Sequence, residues 1–212
     1  MKKTEKMLFA ANGIEILLVV PDNVYLPSDD TQMLAESALK ECEGEVIEIG
    51  CGSGAVSIIL AKEGKCRKII AMDINGEAIK AAKNNAKLNN VSKTEIEFAD
   101  SDLFENISKN GKFDYILFNP PYLPTTKKEK IEGKLNFAFD GGKYGVDVIE
   151  KFLKEAKKHL KKDGKILMVG SLLQPNGKIK KIMQKNCLKK EIIATKSFFF
   201  EKLYVYRITT QR

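Results

Sequence analysis

Short apolar runs of strand length alternate along this 212-residue chain with longer segments of helical pattern. The runs are EVIEI (45–49), KIIAM (68–72), TEIEF (94–98), FDYILF (113–118) and GKILMVG (164–170). Continuous Val/Ile/Leu runs separated by helices are typical of parallel strands that are buried on both faces. The alternation therefore predicts an α/β fold: a doubly wound, mainly parallel sheet with helices on both faces.

The remaining segments complete this prediction. Helices are expected at about 55–62, 77–88, 146–161 and 178–184, and two closing strands, KEIIATKSF (190–198) and EKLYVYRIT (201–209), bring the sheet to seven strands. A short turn joins the closing strands, which indicates an antiparallel hairpin at one edge. Near the N-terminus Asn12-Gly13 separates two apolar stretches, the strongest short-range signal for a β-hairpin. Asn12, Gly13 and Glu15 interrupt what could otherwise be taken for a signal peptide.

Length and composition fit one domain over residues 1–212, in which residues 1–44 form the hairpin and a helix leading into the core. Hydrophobic residues make up 43% of the chain, enough for a sizeable core. Four scattered cysteines and a single histidine favour free thiols in a reducing cytoplasm and no metal site. No stretch approaches the length of a membrane span.

The formal net charge is +8, from 36 basic and 28 acidic residues. Such a balance favours acidic or nucleic-acid-rich partners. The segment KEAKKHLKK (154–162), however, places its lysines at helical spacing beside apolar residues, which is the pattern of an ordinary solvated helix face. Nucleic acid is therefore a possible but secondary partner.

A glycine-rich loop follows the first predicted core strand in EIGCGSGA (48–55). Gly50, Gly52 and Gly54 allow the backbone to turn sharply and to approach a ligand, and the next helix points its N–H groups to the same place. Asp73 ends the second strand, 23 residues beyond Gly50, where a ribose-binding carboxylate is expected. These residues predict a nucleotide-like cofactor, and by themselves they also fit a dinucleotide.

Further acidic residues bear on the choice of cofactor. Glu48 precedes the first glycine by two positions, where a carboxylate suits the cationic amino-acid end of a ligand better than a pyrophosphate. The segment ADSDLF offers Asp100 and Asp102 two strands later. Before the loop, YLPSDDT (25–31) predicts a helix that Ser28 caps, with two acidic residues in its first turn.

The strand ILF (116–118) ends in Asn119-Pro120-Pro121-Tyr122. Together with Glu48-x-Gly50-x-Gly52-x-Gly54 and Asp73, this run resembles the class I S-adenosylmethionine-dependent methyltransferases of the NPPY type, which methylate planar –NH₂ nitrogens. The segments VYLPSDDT (24–31) and FAFDGGKYGVDVIEKF (137–152) further resemble the release-factor glutamine N5-methyltransferases. The nearest resemblance is to their short archaeal and eukaryotic branch, since 44 residues precede the first core strand.

This resemblance implies the activity: transfer of a methyl group from S-adenosyl-L-methionine to the glutamine side-chain amide of the Gly-Gly-Gln motif in a class I translation release factor, with S-adenosyl-L-homocysteine as product. It also implies a small zinc-binding activator subunit as a second partner. The cofactor residues implied by the motifs are Tyr25, Thr31, Glu48, Gly50, Gly52, Gly54, Asp73, Ile74, Asp102, Leu103 and Asn119. Asp102 is preferred to Asp100 because Leu103 follows it, as in the family.

The chemistry of a planar amino group explains the NPPY run. Its nitrogen lone pair is delocalised, so the group is a poor nucleophile and needs acceptors for its two N–H bonds. The Asn119 amide oxygen and the Pro120 carbonyl are expected to accept them, while Pro121 helps to hold the loop stiff. Tyr122 is expected to stack on the flat substrate group. We therefore predict Asn119, Pro120 and Tyr122 as catalytic residues, and all four as substrate-binding.

Some alternatives stay open. Adenine N6 in DNA or RNA presents the same kind of nitrogen, and the positive charge suits it, although a duplex would demand base flipping. A non-enzymatic RNA-binding module on the same core is a third possibility. At single positions, Asp73 could simply cap the next helix, NPPY could be a strand-ending turn, and Gly141, Gly142 and Gly145 could be turn glycines. Cys51 is expected to be a small spacer.

Overall fold

A computed structural model describes residues 4–91, 94–125, 135 and 138–211. The strands are β1 (Thr4–Ala11), β2 (Ile14–Pro21), β3 (Gly44–Ile49), β4 (Cys66–Asp73), β5 (Glu95–Asp100), β6 (Phe113–Phe118), β7 (Leu160–Ser171), β8 (Leu188–Ser197) and β9 (Lys202–Thr210). The helices are α1 (Asp29–Glu41), α2 (Ala55–Glu63), α3 (Gly76–Leu88), α4 (Asp147–Ala156) and α5 (Asn176–Lys185).

Seven strands form one sheet in the order β5-β4-β3-β6-β7-β9-β8. Its first five strands run parallel, whereas β9 is antiparallel to both β7 and β8. The predicted sheet and its C-terminal edge hairpin are thus confirmed. The chain passes from β3 outward to β4 and β5 and then returns to β6 on the other side. In an open α/β sheet such a reversal leaves a crevice at the carboxyl ends of the strands, here those of β3 and β6.

Two apolar clusters cover the two faces of the sheet. On one face, buried residues of α1 and α2, among them Leu34 and Ile58, pack with Ile16 and Leu18 of the β1–β2 hairpin. On the other face, α4 and α5 contribute buried residues that include Phe152. Both faces of β3 and β6 are therefore covered, which accounts for their continuous apolar runs. Among the described residues, no helix has the length and apolar character needed to cross a membrane.

The predicted N-terminal hairpin is confirmed, with Asn12 and Gly13 at φ +46° and +81°. Positive φ at both central residues is what a two-residue type I′ turn requires. Helix α3 holds the hairpin through Asn85 and Asn89, whose side-chain oxygens accept hydrogen bonds from the backbone N–H groups of β2 at 2.9 Å. Asn85 also donates to the Ser53 carbonyl at 3.0 Å. The Asn85 side chain therefore bonds to both the hairpin and the glycine-rich loop.

Two sequence predictions need correction here. The helix expected over 146–161 is α4, which ends at Ala156, and a 3₁₀ turn follows at Lys157–His159. Leu160 begins β7 because it pairs with Phe113 of β6, a partner that helical spacing of the lysines does not reveal. Ser28 stands at the predicted N-cap position of α1, but its side chain makes no capping hydrogen bond.

Candidate active site

A cavity of about 420 Å³ opens at the carboxyl ends of β3, β4 and β6. That volume is in the range of small-molecule sites. The sequence-predicted site residues that line it are Tyr25, Thr31, Glu48, Gly50, Gly52, Asp73, Ile74, Asp102, Leu103, Asn119, Pro120, Pro121 and Tyr122. Gly54 is not among the lining residues. The fold thus brings together residues that are spread over about 100 positions of sequence.

The three glycines of the loop after β3 have different reasons to be glycine. Gly50 and Gly52 line the cavity at φ +68° and +54°. At Gly52 a Cβ would meet no atom within 4 Å, so backbone conformation alone demands glycine there. Gly54 begins α2 at φ +85°, and a Cβ on it would lie 3.0 Å from Cβ of Ala82. The absence of a side chain at Gly54 therefore allows α2 to pack closely on α3.

Glu48 is the penultimate residue of β3, and its side chain is buried beside the cavity. One carboxylate oxygen, Oε2, accepts hydrogen bonds from the backbone N–H of Ser57 at 3.0 Å and from the Ser57 hydroxyl. Burial raises the pKa of Glu48 to about 8, although the two bonds from Ser57 oppose the rise. At pH 7 the carboxyl group is therefore mostly protonated, and a cation bound beside it would favour the ionised form.

Asp73 ends β4 and connects two loops of the site. Its Oδ2 accepts from the backbone N–H of Gly52, and its Oδ1 from that of Asn75, both at 2.8 Å. Burial raises its pKa, while these bonds and that from Ile74 lower it. Asn75, not Asp73, caps α3, because its side chain accepts from the N–H of Glu77 at 3.1 Å. The helix-cap alternative for Asp73 is therefore wrong.

The loop after β5 reaches the cavity with Asp102 and Leu103. Asp100 does not line the cavity, and its Oδ1 would lie 2.8 Å from a Cβ on Gly76. Leu103 has φ +49°, which is uncommon for a residue with a bulky side chain. Such backbone strain persists only where the surrounding structure imposes it, so the local fold holds this wall of the cavity in place.

Several residues that line the cavity carry buried polar atoms without hydrogen-bond partners in the described part of the chain. Among the residues that the structure describes, four buried side-chain polar atoms lack a hydrogen-bond partner, and three of them belong to residues that line the cavity: Asn23 Oδ1, Ser53 Oγ and Asn119 Oδ1. Buried polar groups are normally bonded, and leaving one unpaired costs about 1–3 kcal/mol. A ligand with N–H or O–H groups bound in the cavity would supply donors for these unpaired oxygens.

The segment that begins at residue 138 supports the NPPY loop. Its Gly141 N–H donates to the Leu123 carbonyl at 3.2 Å. A Cβ on Gly141 would lie 2.5 Å from the Pro121 carbonyl oxygen, and one on Gly145 would collide with the carbonyl oxygen of Tyr122. These glycines therefore allow close backbone approach to the loop, beyond their role as turn residues. Position 137, the first residue of the segment 137–152 that carries the family resemblance, lies outside the described residues.

Comparison with known proteins identifies the family. The family model for the methyltransferase small domain matches residues 28–200, which include all but one of the site residues that the sequence predicts. This chain belongs to the methyltransferase small domain family. It is a methyltransferase, and the cavity at the carboxyl ends of β3 and β6 is its candidate active site.

Two relatives and one solved structure illustrate the similarity. The chain is 44% identical over 199 residues to “Putative protein N5-glutamine methyltransferase MJ0928” of Methanocaldococcus jannaschii, covering 94% of this chain and 97% of the relative. It is 33% identical over 159 residues to the release factor glutamine methyltransferase of Koribacter versatilis, covering 71% of this chain but only 56% of that enzyme. The E. cuniculi Mtq2–Trm112 complex, responsible for methylation of the termination factor eRF1, superposes with TM-score 0.66 at 18% identity over 89% of this chain and 99% of that chain, which shows the shared fold.

One buried carboxylate that lines the cavity of this methyltransferase, that of Asp30, is absent from the site residues predicted from the sequence. Asp30, in the first turn of α1, is 3% exposed. Its Oδ2 accepts hydrogen bonds from the hydroxyls of Tyr25 at 2.9 Å and Tyr122 at 3.0 Å. Burial raises the pKa of both phenols, and the Asp30 carboxylate raises it further. The sequence showed this aspartate only as a first-turn acid, because its partner Tyr122 is 92 residues away.

Gly145 offers a test of the loop support in this methyltransferase. Gly145→Ala places a side chain at φ +66° and against the Tyr122 carbonyl, so the NPPY loop must shift. A displacement of about 1 Å can cost up to roughly 100-fold in rate, and we expect kcat to fall by about 10- to 100-fold. Gly13→Ala is the matched control: it has φ +81° but no atom within 4 Å of the added Cβ. Equal kcat in the two variants would contradict the support role.

Proposed function

We propose that this methyltransferase uses S-adenosyl-L-methionine to methylate the side-chain amide of the glutamine in the Gly-Gly-Gln motif of a class I translation release factor. The observation that carries the proposal is the buried, unpartnered Oδ1 of Asn119 at the end of β6. It is an acceptor held ready for an N–H donor, in the motif typical of enzymes that methylate planar amino groups. The named activities of the two relatives support the same substrate class.

The residues present fit the cofactor. Asp73 would accept hydrogen bonds from the ribose hydroxyls, Asp102 and Leu103 would lie beside the adenine, and Glu48 would face the ammonium group; all four residues line the cavity. Ser53 Oγ and Asn23 Oδ1 are further unpartnered polar atoms in the same cavity. When bound, the cofactor supplies a methyl group on a cationic sulfur. The absence of a metal from the reaction remains a prediction from the sequence.

The chain's own contribution to the reaction is positioning. Asn119 Oδ1 and the Pro120 carbonyl would accept the two N–H bonds of the substrate amide and so orient the nitrogen lone pair. Pro120 and Pro121 lack N–H groups and fix φ near −65°, so the acceptors need little reorganisation. Tyr122 lines the same end of the cavity and would stack on the planar amide. Holding reactants in this way contributes up to roughly 7–11 kcal/mol in favourable cases.

The partners follow from the same proposal. The release factor is the protein substrate. The solved Mtq2–Trm112 complex supports a small activator subunit beside this chain, and its zinc-binding character is implied by the family resemblance. Co-purification of this chain with such a subunit, and a gain of activity on adding it, is the direct measurement.

The proposed cofactor site predicts a proton release that can be measured. Because burial raises the pKa of Glu48 to about 8, the empty site binds a proton at pH 7. A cationic ligand lowers that pKa, so binding releases a proton and the cofactor affinity rises with pH until the pH reaches the pKa of the empty site, about 8. Calorimetry at pH 7 in two buffers of different ionisation enthalpy should show this release. Glu48→Gln should abolish it, and an equal release from Glu48→Gln would contradict the assignment.

The substrate is tested by transfer of tritium from labelled S-adenosylmethionine to three acceptors in parallel: a class I release factor, DNA and tRNA, with the activator subunit present. We expect labelling of the release factor alone, and none when the glutamine of its Gly-Gly-Gln motif is replaced by alanine. Labelling of adenine without labelling of the release factor would keep the chemistry and move the substrate to nucleic acid.

A further inference from the structure

Asp30 contacts three of the residues that the sequence assigns to the site. Its Oδ1 accepts from the Thr31 backbone N–H at 2.6 Å and from the Thr31 hydroxyl at 3.2 Å. Its Oδ2 accepts from the hydroxyls of Tyr25 and Tyr122. One buried carboxylate therefore joins the start of α1 to the loop that follows β6.

The bond to Tyr122 is the one with the greatest consequence for chemistry. Tyr122 is the last residue of the NPPY run, and its backbone carbonyl lies so close to Gly145 that a Cβ there would collide with it. The hydroxyl bond to Asp30 therefore fixes the far end of the ring, while the close approach of Gly145 fixes the backbone. Solvent competes little for this bond, because only 3% of the Asp30 surface is exposed.

Tyr25 completes the arrangement. Its hydroxyl shares Oδ2 of Asp30 with Tyr122, and its ring meets the Phe139 ring edge-on at 5.5 Å between centroids. Both Tyr25 and Phe139 line the cavity. The carboxylate thus holds two aromatic walls of one cavity in a fixed relation. Glu201, which also lines the cavity, is engaged elsewhere, because it accepts from the Ser171 hydroxyl at 2.7 Å.

We infer that Asp30 is a positioning residue of the reaction: through the Tyr122 hydroxyl it sets the orientation of the ring on which the substrate amide stacks. This inference rests on the proposed function, because it assigns Tyr122 to the substrate side of the cavity. The inference predicts that loss of the Asp30 side chain lowers the rate of methyl transfer more than it lowers cofactor affinity.

The test compares Asp30→Ala, Tyr122→Phe and the double variant in steady-state methylation of the release factor. We expect each single change to lower kcat by roughly 10- to 100-fold, the effect of a misplaced reacting group. The double variant should lose much less than the product of the two single losses, because both changes remove the same bond. The cofactor dissociation constant should change by less than about 5-fold. A purely structural role for Asp30 would instead give losses that multiply, together with a lower melting temperature.

Asp29→Ala is the matched control. It deletes the same side chain one residue earlier, where Asp29 pairs with Lys196 at the surface at 2.7 Å, and an exposed pair of this kind contributes little. We expect its kcat to equal that of the wild type. Should Asp30→Ala fail to fold, Tyr122→Phe alone decides, since it deletes only the hydroxyl: a wild-type kcat in this variant would overturn the inference.

A readout independent of activity separates this inference from the proposed function. In protein with ¹³C-labelled tyrosine rings, Tyr122→Phe assigns the Tyr122 signal among six tyrosines. Asp30→Ala should shift and broaden that signal in the absence of substrate. If the wild type does not label the release factor but Asp30→Ala shifts the Tyr122 signal, the proposed function fails, while the control of the Tyr122 ring by Asp30 stands. If the wild type labels the release factor while both variants keep its kcat, only the inference fails.

Discussion

Asn119→Ala should lower kcat by about 10²- to 10³-fold, the range seen when one preorganised polar contact to the reacting group is deleted. The change removes Oδ1, a buried acceptor that has no partner among the described residues. Because no bond within the described protein is lost, stability should stay close to that of the wild type. Cofactor affinity should change much less than kcat, since Gly52, Asp73 and their mutual hydrogen bond are untouched.

The measurement is single-turnover methylation of the release factor at saturating cofactor, with calorimetry for cofactor binding and a melting curve for stability. Asn110→Ala is a suitable control, because it truncates an exposed asparagine in the loop before β6. Full activity in Asn119→Ala would remove the proposed mechanism whatever the substrate is. A fall in melting temperature with unchanged kcat would make Asn119 a structural residue.

Much of the fold was predictable because its signals are local. The core strands are mostly apolar runs of strand length separated by longer segments of helical pattern, and Asn12-Gly13 specifies its turn without help from distant residues. The boundary between α4 and β7 was not predictable in the same way. Lysines at helical spacing continue to Lys161, whereas the strand begins at Leu160 because of its pairing with Phe113. Where a tertiary partner sets the limit of an element, periodicity alone places it wrongly.

The same distinction between local signals and long-range contacts applies to the residues of the candidate site. Glu48, Asp73 and Asn119 were predictable because each lies at or next to the carboxyl end of a recognisable strand, and the carboxyl ends of parallel strands meet at one edge of the sheet. Asp30 was not assigned, since its partner Tyr122 comes from a different element far along the chain. The packing role of Gly54 depends in the same way on Ala82 of the next helix. Contacts between distant elements carry no signature in a single sequence.

Asp73→Ala has the second large expected effect, on cofactor binding. A carboxylate that accepts from two ribose hydroxyls makes charge-assisted bonds worth roughly 1.5–3 kcal/mol each. Losing both would weaken binding by about 3–6 kcal/mol, which is at least 100-fold in the dissociation constant. The structure adds a second cause, because Asp73 also holds the N–H groups of Gly52 and Asn75. Without it the glycine-rich loop loses a contact that helps to fix its approach to the ligand.

Calorimetric titration with S-adenosylmethionine measures the total effect, and Asp73→Asn separates the two causes. The asparagine keeps one side-chain oxygen for a backbone N–H, so the loops retain part of their connection, but it lacks the negative charge that strengthens bonds from ribose hydroxyls. We therefore expect an affinity between those of the wild type and Asp73→Ala. Asn75→Ala is a further control, since it removes the cap of α3 and leaves the Asp73 carboxylate in place; it should lower the melting temperature with a smaller change in affinity. If Asp73→Ala binds the cofactor as tightly as the wild type, Asp73 is a support for two loops and the ribose must be held by other groups.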